Sequence, residues 1–307
     1  MIDIGLFVAR FLHYVASTTL AGAAFFPLYA HAGDEPGTLV RWRSGLMLWS
    51  AVLALVSGLA WFVFSVANMS GALSDVADPE ILASVLRDTG FGIVWTARMI
   101  LAVVVVVAAL LRSAGSTTGQ DLLMSFLAAA LLVSLAGAGH AQIEEGWPGV
   151  LHVSADAAHL LAAGAWLGGL VPLGFILLGY AERTGRDGVD VDGVLMRFSG
   201  MGYAAVATLV GTGLVNSWLL VGSVSSLLNS TYGQILVAKL AFFGGMLALA
   251  AANRFWLVPA LEAAGRSGTG EIWRGKLRTH VISEQGLGLL VLLCVSVLGT
   301  IRPAIGQ

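Results

Sequence analysis

Four histidines, at positions 13, 140, 152 and 159, and the carboxylate of Asp156 are the side chains of this sequence best suited to hold a metal ion. His152, Asp156 and His159 follow one another at i, i+4 and i+7. On a helix that is a single stripe, with His159 about 10 Å further along than His152. An ionisable group in hydrocarbon costs a few kcal/mol or more, so each such residue inside an apolar run is a candidate functional group. A lone histidine at that depth is as often a hydrogen-bonding strut between helices; four in one region weigh against that reading for the group. Imidazole suits copper, zinc, iron and haem, and a thioether suits Cu(I). Met69 and Met99 could complete a copper set, and Glu144 and Glu145 could form an acidic vestibule beside it. Spacing alone leaves the metal open, and haem b, with His13 and His159 as axial ligands, is the alternative.

The elements that must position these residues are membrane helices. The chain has 307 residues, 57% hydrophobic and 11% charged, with mean hydropathy +0.86. A hydrocarbon core near 30 Å needs about 20 apolar residues per helix. Eight segments qualify, at about 4–30, 44–67, 91–111, 121–140, 150–180, 196–221, 233–257 and 281–300. The expected fold is therefore an all-α polytopic membrane protein of eight transmembrane helices. Asp78-Pro79-Glu80 supplies an N-cap and a proline at the first helical position, which predicts a short helix in the interface between the second and third spans. The first apolar run is too long for a typical signal-peptide core and reads as a retained helix. Of sixteen Lys and Arg, eleven fall in or beside the links after spans 1, 3, 5 and 7. Arg87 and Arg302 fall on the opposite side, and Arg10, Arg98 and Lys239 lie within spans. This asymmetry places both termini outside, in the periplasm of a Gram-negative cell.

The sequence also resembles itself. Arg10-Phe11-Leu12-His13-Tyr14-Val15-Ala16 matches Asp156-Ala157-Ala158-His159-Leu160-Leu161-Ala162. In each a glycine follows nine residues later (Gly22, Gly168), with a proline close behind (Pro27, Pro172). Ser57-Gly58-Leu59 parallels Thr212-Gly213-Leu214, Gly92 with Arg98 parallels Gly233 with Lys239, and Ser134 to Gly137 parallels Ser296 to Gly299. The order is kept, which predicts two parallel four-helix repeats, 1–145 and 146–307, related by an axis along the membrane normal. Arg10 aligns with Asp156, suggesting a salt bridge across that axis. Arg98 and Lys239 would snorkel outward or meet ligand carboxylates such as haem propionates. His13, His140, His152, His159 and Asp156 all fall in the outer half of the membrane. His31 and His280 sit at the basic, inner ends and read as interfacial, and Glu284 and Gln285 near His280 are a weak candidate for an inner exit site. The single cysteine, Cys294, excludes a disulfide framework. No basic run argues for nucleic acid. No Ser/His/Asp arrangement, phosphate loop or HExxH signature argues for an enzyme.

One further pattern is distinctive: Arg197-Phe198-Ser199, Gly211-Thr212-Gly213-Leu214-Val215-Asn216, Thr231-Tyr232-Gly233, Lys239, and Ala251-Ala252-Asn253-Arg254. It follows Ala158-His159-Leu160-Leu161-Ala162-Ala163-Gly164-Ala165-Trp166-Leu167-Gly168-Gly169-Leu170. It resembles the copper resistance protein D (CopD) family of bacterial inner-membrane proteins, most strongly over 152–254. The resemblance implies eight helices, a place in the inner membrane, and movement of copper, as Cu(I) or Cu(II), from periplasm to cytoplasm in copper homeostasis and resistance. It also implies a periplasmic CopC-like copper carrier as partner, besides membrane lipid. Under it, His13 and His159 correspond to the family's histidines. A set of His13, His140, His152, Asp156, His159, Met69, Met99, Glu144 and Glu145 would serve capture and passage. A non-transporting copper-sensing scaffold is the remaining alternative.

Overall fold

The computed structural model describes residues 2–31, 33, 35–112, 117–138, 146–180, 190–265 and 270–305. Among them there is no strand; the chain folds as helices joined by short links. Following the chain, these are α1 (Ile2–Ala30), α2 (Gly37–Ser70), α3 (Pro79–Asp88), α4 (Gly90–Leu111) and α5 (Thr118–Val133). After them come α6 (Gly146–Ala163), α7 (Leu170–Phe175), α8 (Val191–Val221), α9 (Val224–Asn229), α10 (Thr231–Ala252), α11 (Val258–Gly265) and α12 (Gly270–Leu298). Wide π turns at Gly164–Gly168, Ile176–Tyr180 and Asn253–Leu257 join α6 to α7, end α7, and join α10 to α11. Seven helical stretches are long and apolar enough to cross a bilayer, and α5 is a shorter apolar eighth. Backbone groups in hydrocarbon must be satisfied internally, so a chain this apolar is a polytopic helical membrane protein. The start of α1 and the end of α12 lie at one face of the bundle, where Arg10 reaches Gly299, called here the terminal face.

Local chemistry sets the helix ends. Asp78 accepts from the Glu80 amide at 2.8 Å with Pro79 in the first turn, so α3 forms where the sequence predicts it. Thr89 and Ser230 cap α4 and α10 by accepting from Gly92 and Gly233, each at 2.9 Å. A Cβ on either glycine would strike a carbonyl of the preceding short link, Val85 or Leu227. Glycine is what lets α3 and the 224–229 helix fold back onto the next span. Two helices begin earlier than hydropathy suggests: α2 at Gly37 rather than near 44, and α12 at Gly270 rather than near 281. Arg41, Arg43, Arg274, Lys276 and Arg278 therefore lie on helices and not in links.

Two cores hold the bundle. One gathers α1, α2, α4 and α5 around small residues (Ala16, Ala21, Ala51, Ala54) and the indoles of Trp61 and Trp95. The other gathers α7, α8, α10 and α12 around Trp166, Leu170, Phe198, Met246 and Val281, and takes in Phe26 and Leu39 from the first half. The join between them is backbone on backbone: a Cβ on Gly22 would strike Gly168, and one on Gly168 would strike Gly22 and the Thr18 carbonyl. Without a hydrophobic drive in lipid, such small-residue contact is what lets helices associate. The π turn beside it leaves carbonyls to satisfy, and Tyr29 of α1 donates to Ala165 O at 3.0 Å while Gln285 of α12 donates to Leu170 O at 2.6 Å. The halves differ in one respect. Helix α2 packs against α4, whereas α8 and α10 stand apart and leave a cleft between them.

A buried ion quartet closes the first half on the face opposite the termini. Arg43, fully buried, donates to Glu35 (2.6 and 3.0 Å) and Asp121 (2.9 Å), and Arg112 donates to Asp121 at 2.6 Å. Guanidinium forks suit such shared carboxylates, and each ion is paired, as burial requires.

Candidate metal centre

Helix α6 carries His152, Asp156 and His159 along one stripe, and the antiparallel α8 answers it. His159 Nδ1 donates to Thr212 Oγ1 at 2.9 Å, and Asn216 Nδ2 donates to Asp156 Oδ1 at 3.3 Å. In an antiparallel pair, a step of three along α6 meets a step of four along α8, so 156 and 159 face 216 and 212. The Thr212 hydroxyl spends its own proton on Thr208 O at 2.6 Å. Its oxygen must therefore accept from His159, which puts the imidazole proton on Nδ1 and leaves the Nε2 lone pair as the metal-competent nitrogen. Lys239 of α10 stands within electrostatic reach of both Asp156 and His159, without an ion-pair contact. His152 is buried one turn closer to the terminal face and also acts on Asp156.

His13 has a corresponding anchor and a different neighbour. Its Nδ1 donates to Ala54 O at 2.8 Å and lies 3.2 Å from Ser57 Oγ, the counterpart of Thr212. Because that nitrogen faces a carbonyl it carries the proton, and Nε2 accepts from Arg98 Nη2 (2.6 Å) and Nε (3.2 Å). Arg98 also donates to Leu131 O at 2.6 Å and to Ser134, and both side chains are buried against Trp61 and Trp95. Coordination at His13 would require the guanidinium to leave. Met99 packs beside the His13 ring over Gly58, where a Cβ would lie 3.1 Å from its sulfur and 3.3 Å from His13 Cε1.

The structure thus separates residues that the sequence grouped. The hydrogen bonds of His13 go to α2 and α4, and that of His159 goes to α8. Met69 ends α2 half-exposed. His140, Glu144 and Glu145 lie outside the described residues. Among the described residues no three His, Cys, Asp or Glu side chains come together as a ready-made metal cage. Two expectations are corrected. Arg10 does not pair with Asp156: it donates to Tyr14 at 3.0 Å and lies over Trp61, 4.5 Å from the ring centroid. Arg98 does not snorkel, because the carbonyl, hydroxyl and imidazole acceptors around it satisfy it in place. Nothing in this arrangement favours haem, since the nitrogen of His13 that an iron would need already holds Arg98. Ser57, Gly58 and Thr212 were visible in the sequence within a repeated motif and Asn216 within the Gly211–Asn216 pattern, but only the helix pairing shows Ser57, Thr212 and Asn216 as anchors.

His31, just beyond the end of α1, lies beside the ion quartet. Burial pushes its pKa below the usual value; Glu35 and Asp190 oppose the shift, and Arg43 and Arg197 add to it. His280 Nδ1 donates to Asn253 Oδ1 at 2.8 Å, within a polar chain.

Comparisons with known proteins fit this fold. Residues 1–150 match the family model described as "Copper resistance protein D-like, N-terminal domain", and residues 192–298 match "Copper resistance protein D". Copper resistance protein D of Pseudomonas syringae pv. tomato is 34% identical over 300 residues, covering 96% of this chain and 95% of the relative. Inner membrane protein YebZ of Escherichia coli (strain K12) is 30% identical, covering 96% and 97%. Copper transport protein CutJ of Bacillus subtilis (strain 168) is 28% identical over 94% of this chain and 51% of its own length. No solved structure matches the chain at a significant level. With both family models matched and such identity along nearly its whole length, the chain belongs to the copper resistance protein D family.

Proposed function

We propose that this protein carries copper across the bacterial inner membrane, from the periplasmic to the cytoplasmic side, with Asp156 and His159 as its outer station. The observation that carries the reading is the tautomer fixed by Thr212: a half-buried imidazole with Nε2 free to coordinate, three residues from a carboxylate oriented by Asn216. A hydrogen bond from the ring's other nitrogen raises the ligand's basicity and orients the ring. The scarcity of ligands suits cargo, because an ion that must leave cannot be held by a closed cage. The positive-inside asymmetry puts the terminal face outside, so His152 lies toward the entrance. His140, Glu144 and Glu145 would gather the ion there, delivered by a separate CopC-like carrier. In this reading the two halves are parallel repeats of which only the second keeps its histidine open, and His13 serves as an anchor for Arg98. Met99 and Met69 are then accessory. Transport is driven by the copper gradient and by trapping inside the cell. The test is Cu(I) uptake by proteoliposomes containing the full chain. His159→Ala is expected to lower the rate at least tenfold. Wild-type protein that takes up no copper, or a variant that matches wild type, overturns the reading.

A further inference from the structure

The second half holds a buried carboxylate that the outer station does not use. Glu284 of α12 is 2% exposed, and its Oε1 accepts from Asn253 Nδ2 at 2.6 Å. The other end of the same amide, Asn253 Oδ1, accepts from Nδ1 of His280, one turn earlier on α12, at 2.8 Å. That bond leaves the Nε2 lone pair of His280 free to coordinate, the same logic as at His159. Asn253 opens the π turn after α10, and π turns recur where a helix must aim a side chain at a site. Glu284 lines a cavity of about 210 Å³ in the cleft between α8 and α10, walled by Trp166, Phe198 and Tyr203. It is the one acidic residue of that lining. Arg254 lines the same cavity, yet no ion pair joins it or any other cation to Glu284 among the described residues.

Without a countercharge a carboxyl at this depth holds its proton, and a cation binding there would release that proton and take its place. Along α10, Asn253 lies fourteen residues beyond Lys239, which marks the outer station. At 1.5 Å per residue that is roughly 21 Å toward the face opposite the termini. We propose that Glu284, oriented by Asn253 and joined through that amide to His280 one turn earlier on α12, is a second copper station, the one from which the ion leaves. This rests on the copper reading above and adds the other end of the path.

The test is Cu(I) stoichiometry of the full-length purified protein, measured by competition with a colorimetric Cu(I) chelator. Wild type is expected to bind two equivalents. Glu284→Gln, which preserves the hydrogen bond from Asn253, is expected to lose one and keep the equivalent that His159→Ala removes; the retained equivalent shows that the variant is folded. Asn253→Ala is expected to weaken the same site about 10–100-fold. Glu284→Gln protein that keeps both equivalents at wild-type affinity overturns the second station. So does wild-type protein with a single equivalent that is lost in His159→Ala. Wild-type protein that binds no Cu(I) at all sinks the copper reading itself.

Discussion

Replacing His13 by leucine strands a buried cation, and the cost can be worked from its contacts. Arg98 gives Nε and Nη2 to His13 and Nη1 to Leu131 O and Ser134. Loss of the imidazole removes the one acceptor that the described residues offer Nε and Nη2, where a charge-assisted hydrogen bond contributes about 1.5–3 kcal/mol. Loss of the ring's contacts with Trp61 and Trp95, centred 5.6 and 6.0 Å away, adds about 0.5–1.5 kcal/mol. The sum, about 2–4.5 kcal/mol, overlaps the roughly 3–5 kcal/mol typical of breaking a buried charged pair from one side. Removing Arg98 as well leaves only neutral acceptors behind, so His13→Leu/Arg98→Leu should recover at least about 2 kcal/mol relative to additivity, because residues in direct contact couple. The assay is reversible unfolding in mixed micelles titrated with SDS, followed by tryptophan fluorescence, to which Trp61 and Trp95 contribute from beside the site. A His13→Leu cost below about 1 kcal/mol, or a double variant equal to the sum of the singles, refutes the dependence of Arg98 on His13. The three proteins should bind Cu(I) like wild type, since neither substitution touches His159 or its anchor Thr212.

Two further outcomes follow from the face opposite the termini. Arg43→Met removes the fork shared by Glu35 and Asp121 and should cost about 3–5 kcal/mol in the same titration, while Arg112→Met should cost less because Arg43 still holds both carboxylates; equal costs would show that the quartet does not centre on Arg43. His31 is held below its ordinary pKa by burial and the nearby guanidinium groups, so the unfolded chain binds more protons and stability falls as pH drops below about 6.5. His31→Gln should flatten that decline between pH 7 and pH 5, and an unchanged slope would show that His31 does not contribute to it.

Much of the fold was legible because hydrocarbon imposes one rule on sequence: a run of apolar residues long enough to cross. Asp78-Pro79 announced α3 by capping chemistry alone. The starts of α2 and α12 were not legible, because a helix that continues past the hydrocarbon into headgroups carries Arg and Lys that look like a link. The role of Arg43 was hidden for a different reason: Glu35, Asp121 and Arg112 come from separate stretches that only tertiary packing brings together. At the candidate centre, residue types and the His-x3-Asp-x2-His stripe were visible, and so was the match of Ser57 to Thr212. What spacing could not supply was the partner of each imidazole nitrogen. That partner separates His159, whose Nε2 is open, from His13, whose Nε2 is taken. The π turns at Gly164–Gly168 and Asn253–Leu257 leave no hydropathy signature, and they set where Trp166 and Asn253 point.

The crossing of Gly22 over Gly168 has a mechanical consequence. Two glycines, each nine residues beyond a histidine, touch there through bare main chain. Such a joint acts as a fulcrum: main chain meets main chain at one point, while Phe26, Tyr29 and Trp42 reach across beside it and resist separation. The Arg43 quartet stiffens one half, while the parted α8 and α10 leave the other room to yield. Any rocking that opens the bundle first to one side and then to the other would swing the looser half about this point, and a single added methyl group there would jam it.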